Sequence, residues 1–322
     1  MSYEPQSLQD ATVYFSNQDN CIAYLSSRRW PDGKVVCPGC GSESVSFNAK
    51  RRTWKCASHH AKREFSIKVG TIMEDSAIPV DKWLVTMWLV TNCKNGVSSY
   101  EIARDVQVTQ KSAWFMLHRI RLAMQDEDKG QLCGHVEADE TFIGGKARNM
   151  HKSVHERRIT GMGQSFRDKT IVMGMLERGG KIRTLVIPDR LKTTLQPIVR
   201  ENVEQGSTLY TDEMGGYKGL SKEYMHEIID HAVEYVNGRV HTNGMENFWS
   251  LLKRGLNGTY VAVEPFHLFR YLDEQVFRYC NRSTPNRKMT DADRFDLLVR
   301  KVAGKRLTFA ELTGKVGAAS AF

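Results

Sequence analysis

The chain has no uninterrupted apolar run of the roughly 18 residues that a membrane-spanning helix needs. Its N-terminus is polar and lacks the basic-then-apolar order of a secretory signal. The expected location is therefore cytoplasmic and nucleoid-associated, with no membrane partner. No internal repeat is evident, which excludes a solenoid or a propeller. Negative charge is in deficit, with 37 Asp plus Glu against 46 Lys plus Arg, a formal net charge of +9. Such a surface attracts polyanions by counterion release, although charge alone describes a merely basic soluble protein equally well. With 322 residues the chain can bury a substantial core and is expected to divide into two or three domains.

Cysteine is sparse, and of the seven only three are placed for metal. Cys37-Pro38-Gly39-Cys40 is a C-x2-C knuckle, and Cys56-Ala57-Ser58-His59 offers a second ligand pair after 15 intervening residues. That is the spacing of a zinc ribbon, in which two tight turns each give two ligands to a tetrahedral Zn2+. Gly39 and Gly41 permit the sharp turn, and Val45 to Phe47 and Thr53 to Lys55 read as the strands that carry the knuckles. The fourth ligand is His59 or, in its place, His60. A redox pair would explain one C-x2-C and leave the second pair without a purpose. Cys21, Cys93, Cys133 and Cys280 are scattered and read as ordinary reduced thiols.

Residues 1–30 form a helical lead-in ending at Trp30-Pro31-Asp32-Gly33, a turn that starts the ribbon of residues 31–75. Residues 76–130 are helical, with an apolar helix from Pro79 to Asn92 broken at Asn95-Gly96. After it, Ser98 or Ser99 caps a short helix, Val106 to Val108 turns, and Thr109 caps a longer helix, the outline of a helix-turn-helix. In that reading Gln110, Lys111, Ser112, His118, Arg119 and Arg121 offer donors to double-stranded DNA. A helical hairpin inside a bundle has the same periodicity.

From residue 131 the pattern becomes strand-like: His135 to Ile143, Thr170 to Leu176, Lys181 to Ile187, a helix from Thr194 to Glu204, then Thr208 to Thr211 and a weaker stretch at Met225 to Ile229. With a helix after Glu246, this is the element order of an α/β RNase H-like core, a mixed five-stranded sheet with helices, expected over residues 131–283. The loop from Gly144 to Lys169 carries Lys146, Arg148, Lys152, Arg157, Arg158, Arg167 and Lys169, a run that is either simply solvated or a clamp for a DNA backbone. The aromatics of Phe266 to Asn281 sit at core spacing, and residues 284–322 read as a tail.

Three acids in this half are placed for metal chemistry. Asp139 lies mid-strand on the face shared with Glu137, Asp212 closes a strand, and Glu246 opens a helix after 33 further residues. Three converging carboxylates repel one another unless cations neutralise them, and two Mg2+ or Mn2+ ions roughly 3.5 to 4 Å apart do so while activating a phosphodiester. Lys253, seven residues past Glu246 and on the same helix face, is placed to hold a DNA phosphate, with Arg254 beside it. Structural roles compete at each position: Asn243 and Glu246 fit a capping box, Asp212 a turn, and Asp139 an ion pair.

The chain resembles the DDE insertion-sequence transposases with an N-terminal zinc ribbon, the ISXO-type group. The likeness runs from about Tyr24 to Arg282 through Arg29-Trp30-Pro31-Asp32-Gly33, Cys37-Pro38-Gly39-Cys40-Gly41, Phe65-Ser66, Glu74-Asp75-Ser76 and Lys82-Trp83-Leu84. In the second half it runs through Glu137 to Lys146, Thr211-Asp212, His241-Thr242-Asn243 and Glu246 to Gly255. The resemblance implies an RNase H-like core with Asp139, Asp212 and Glu246 as metal-binding triad, binding of terminal inverted repeats and target DNA, strand cleavage and transfer, and a homo-oligomer in the synaptic complex. Two features depart from that pattern: His59-His60 where the group usually has cysteine, and extra residues before Phe65. Glu246 retains the acid that some relatives replace with asparagine. The alternative functions are a non-catalytic DNA-binding regulator and a structure-selective nuclease of the same fold.

Overall fold

The computed structural model describes residues 4–128, 130–144, 169–212, 215–229, 241–261 and 263–315. The basic loop residues Lys146, Arg148, Lys152, Arg157, Arg158 and Arg167 lie outside them. The chain divides into two compact units, one of residues 1–125 and 281–322, the other Asp126–Cys280.

The first unit begins with helices α1 (Leu8–Phe15) and α2 (Gln18–Arg29), started by caps from Ser7 and Asn17. Strands β1 (Val45–Asn48), β2 (Thr53–Cys56) and β3 (Glu64–Ser66) pair antiparallel in chain order. Trp54 packs between Trp30 and Phe65 and gives this small sheet its core. Helix α3 (Val80–Asn92) starts after Pro79, where a missing N–H costs nothing. Helix α4 (Ser99–Asp105) opens on a Ser98/Glu101 capping box, and α5 (Gln110–Met124) on Thr109, whose hydroxyl accepts from the Ser112 amide. The turn between them holds Gln107 at φ 51°.

In the second unit, β4 (His135–Ile143), β5 (Thr170–Glu177), β6 (Ile182–Ile187), β7 (Thr208–Asp212) and β8 (Met225–Ile229) form a five-stranded sheet in the order β6-β5-β4-β7-β8. The β4/β5 and β5/β6 pairs are antiparallel, and β4/β7 and β7/β8 are parallel. Period-two alternation sorts the side chains between two cores. Val136, Ala138, Met173, Met175 and Leu209 face helix α6 (Lys192–Asn202) through Leu195 and Val199. Val172 and Leu176 face helices α7 (Asn243–Gly255) and α8 (Leu268–Cys280) through Met245, Phe248, Trp249 and Leu272. This is the mixed sheet with flanking helices of an RNase H-like core.

After α8 the chain returns to the first unit, and the segment expected to be a tail is not one. Helix α9 (Asp291–Arg300) opens on a Thr290/Asp293 capping box and packs on α3. Its Phe295, fully buried, inserts among Phe15, Tyr24 and Trp88. Asp296 accepts from Arg28 Nε at 2.7 Å. A short helix, α10 (Phe309–Leu312), follows and sets Phe309 against Phe115 of α5. The spacing of Phe295, Leu298 and Val299 was the available sign of a buried helix.

Candidate metal centres and nucleic-acid interface

Cys37, Cys40, Cys56 and His60 bring their ligand atoms within 4.8 Å of one another. Cys40 Sγ lies 3.6 Å from Cys56 Sγ, and Cys37 Sγ 3.5 Å from His60 Nε2. A tetrahedron with metal–sulfur bonds of about 2.3 Å has edges of roughly 3.8 Å, so the donor set fits a structural zinc ion. Local geometry corrects the choice of His59. His60 Nδ1 sits 2.7 Å from the Ala61 carbonyl, which turns Nε2 toward the sulfurs. Gly39 makes room for the imidazole, since a Cβ there would stand 3.2 Å from His60 Cε1. His59 is exposed and outside the group. Burial opposes ionisation of Cys56, but hydrogen bonds with His60 and Cys40 lower its thiol to about 6.

In α5 the sequence expectation fails for Arg119. Its side chain is buried, and it donates to the carbonyls of Leu307, Ile72 and Glu74 at 2.9, 3.0 and 2.7 Å. His118 and Arg121 are buried as well. Periodicity gives a helix one inner face, but the returning C-terminal segment covers a second side of α5, so this half of the helix has no free face for DNA. At the N-terminal half, Lys111 is exposed with Nζ 4.7 Å from the Phe309 ring centroid, Gln110 donates to Ser99 Oγ, and Ser112 is half-buried.

The acids of the second unit meet where a ladder splits. The β4/β7 pairing runs His135 with Thr208, Val136 with Leu209 and Glu137 with Tyr210, and goes no further. Two residues on along each strand stand Asp139 and Asp212, level with each other and on one face of the sheet. Beyond that point β4 stays with β5 and β7 with β8, so the two acids stand where the parallel strands part, the position at which such sheets place ligands. Asp139 Oδ1 accepts from the Glu140 amide at 2.8 Å and Oδ2 from the Trp249 indole at 3.0 Å. Trp249 is on α7, so this bond ties the helix to the strand. Among the described residues Asp139 is held by these two hydrogen bonds and by no ion pair.

Glu246 lies in the first turn of α7, where Thr242 is the N-cap and makes no side-chain cap bond. A capping box is therefore not what holds Glu246; Thr242 donates to its Oε1 at 3.4 Å. Burial first, then the charges of Asp212 and Glu246, raise the Asp139 carboxyl to about 6. The charges of Asp212 and Glu246 are thus felt at Asp139. The three acids are nonetheless more loosely grouped than the ribbon ligands, which are the one tight cluster of three or more metal-ligating side chains among the described residues. Glu140, on the opposite face, is raised to about 7 mainly by burial, and Tyr217 Oη donates to it. Lys253 and Arg254 are exposed near the end of α7, about 10 Å along the helix from Glu246 at 1.5 Å per residue.

Sequence reasoning passed over two glycines that let α7 approach the sheet. A Cβ on Gly174, the β5 partner of Asp139, would stand 2.2 Å from Met245 Cε and 2.7 Å from the Trp249 ring. One on Gly244 would stand 2.7 Å from Glu137 Oε2. The isolated Gly174 inside an otherwise apolar strand was the legible sign.

A ribbon with a Cys3His donor set, followed by an RNase H-like sheet with acids at its split, defines the class of zinc-ribbon transposases. Residues 131–280 match the ISXO2-like transposase domain, and residues 16–60 match a transposase zinc-ribbon domain. A transposase-like protein of Haemophilus influenzae is 34% identical over 102 residues, 31% of this chain and 82% of that protein. A protein in transposable element ISH50 of Halobacterium salinarum is 28% identical over 253 residues, 76% of this chain and 84% of the relative. The chain belongs to the ISXO2-like transposase family. Among the described residues no helix is long and apolar enough to cross a membrane.

Proposed function

We propose that the protein cleaves and joins DNA at the ends of an insertion sequence, with Asp139, Asp212 and Glu246 holding two divalent ions, Mg2+ or Mn2+. The observation that carries this reading is the level placement of Asp139 and Asp212 at the β4/β7 split, with the charge of Glu246 within reach of Asp139. Hard carboxylate oxygens from three separate elements are the donor set such ions prefer. When bound, the ions supply charge neutralisation at the phosphodiester and activation of a water or 3'-hydroxyl nucleophile.

The chain's own groups prepare that site. Trp249 and the Glu140 amide aim the Asp139 carboxylate, and Thr242 orients Glu246. Lys253 and Arg254 hold the DNA backbone farther along α7. Gln110, Lys111 and Ser112 at the start of α5 meet the terminal inverted repeats, and the ribbon adds a zinc-stabilised surface. Two copies or more gather the two ends, in the cytoplasm at the nucleoid.

The test uses duplex DNA carrying the sequences that flank the gene, incubated with the protein and Mn2+. Cleaved ends and joined products are expected, and Asp139→Asn, Asp212→Asn and Glu246→Gln should each abolish both while leaving DNA binding intact. Hydrolysis without joining would make the protein a nuclease. Binding without either would make it a regulator. Near-normal turnover in any one variant would remove that residue from the site.

A further inference from the structure

We propose that Glu137 is a positioning residue, a buried carboxylate that docks the first turn of α7 and so sets the place of Glu246 relative to Asp139. Its side chain is 1% exposed. A carboxylate so deeply buried is tolerated only when its oxygens are paired. Oε1 accepts from Arg178 Nε at 2.8 Å and lies 3.5 Å from His241 Nδ1. Oε2 accepts from the backbone amide of Met245 at 3.0 Å. Met245 immediately precedes Glu246, and its amide is one of the donors that a helix's first turn cannot satisfy internally. A negative charge at that end also complements the helix dipole.

The other contacts point the same way. A Cβ on Gly244 would stand 2.7 Å from Glu137 Oε2, so any side chain there would have to displace the carboxylate or the turn. Tyr279 of α8 donates to the Gly244 carbonyl at 3.3 Å and holds the same turn from another direction. Arg178 is fixed in turn: its amide donates to the His135 carbonyl, its guanidinium lies 4.0 Å from the Tyr210 ring centroid, and Nη2 donates to the His241 carbonyl at 2.5 Å. Glu137 and Asp139 share one face of one strand. The spacing between the first and third acids therefore passes through a single rigid element.

The role of the acids rests on the function proposed above, whereas the docking of α7 does not. The experiment separates the two. In Glu137→Leu, which has no acceptor, the Met245 and Glu246 amides should exchange hydrogen about tenfold or more faster, measured on protein without added Mg2+ or Mn2+. The Mn2+ concentration for half-maximal cleavage should rise about 10- to 100-fold, the range typical for loss of a supporting residue, with KM for DNA unchanged. The paired variant Glu137→Met with Arg178→Met replaces a buried ion pair by apolar groups and should recover stability, yet leave the Met245 amide without an acceptor. It should melt like the parent and still exchange fast and require high Mn2+. Parent-like exchange at Met245 in either variant, or recovery of the Mn2+ midpoint in the paired variant, would overturn the proposal. If the parent shows no Mn2+-dependent cleavage, the function fails, and the exchange rates still decide the docking.

Discussion

Replacing Asp139 with asparagine should stabilise the protein at high pH and destabilise it at low pH, in buffer free of Mg2+ and Mn2+ and with zinc retained. The folded chain raises the Asp139 carboxyl from an ordinary 3.8 to about 6. At about 1.4 kcal/mol per pH unit, ionisation is then about 3 kcal/mol less favourable in the folded chain than in the unfolded one. Below pH 4 both states hold the proton and that contribution to stability is fully present. Between pH 4 and 6 the unfolded chain ionises first and it is lost. Above pH 6 the whole loss has been taken. Asparagine stays neutral throughout, but it has one acceptor oxygen where Asp139 has two, so it cannot accept from both Glu140 N–H and Trp249 Nε1, a loss of about 1 kcal/mol. The variant should therefore be about 1 kcal/mol less stable at pH 4 and about 2 kcal/mol more stable at pH 8. Urea unfolding followed by hydrogen exchange of the β4 and β5 amides reports on the unit concerned. A difference of the same sign and size at both pH values would mean that Asp139 is not buried against Asp212 and Glu246, and would refute the reasoning.

Four further outcomes are expected. Metal analysis of purified protein should find His60→Ala without zinc and His59→Ala with one equivalent; the reverse would reassign the fourth ligand. Gly174→Ala should cost about 1–3 kcal/mol in urea unfolding, because its new Cβ meets Met245 and Trp249 on α7, and unchanged stability would refute the close approach. Lys111→Ala should leave the fold intact and reduce the slope of DNA affinity against salt by about one. Arg119→Ala should instead destabilise its unit by about 2–3 kcal/mol through three carbonyls left without their donor. Equal melting temperatures for these two variants would return Arg119 to the DNA-facing surface.

What was legible in the sequence was what short-range physics fixes. Alternation of Val136 and Ala138 with Glu137 and Asp139 gave the strand and its two faces. Ser98 or Ser99, and Thr109, gave the starts of α4 and α5. The cysteine spacing gave the ribbon. Each of these signals spans only a few residues. The choice between His59 and His60 was not legible, because it turns on the Ala61 carbonyl and the space beside Gly39. The burial of Arg119 was not either, because it is covered by a segment 188 residues away.

By itself, then, the sequence determined the elements, the sheet's alternating faces and the residue types able to hold metal, since periodicity, capping and ligand spacing are properties of neighbouring residues. Tertiary structure alone decided that Asp139 and Asp212 stand level at a split ladder, that Glu137 and two glycines seat α7 against the sheet, and that the C-terminal helix completes the first unit's core. Those outcomes depend on register and on close approach between residues distant in the chain, which no local pattern encodes.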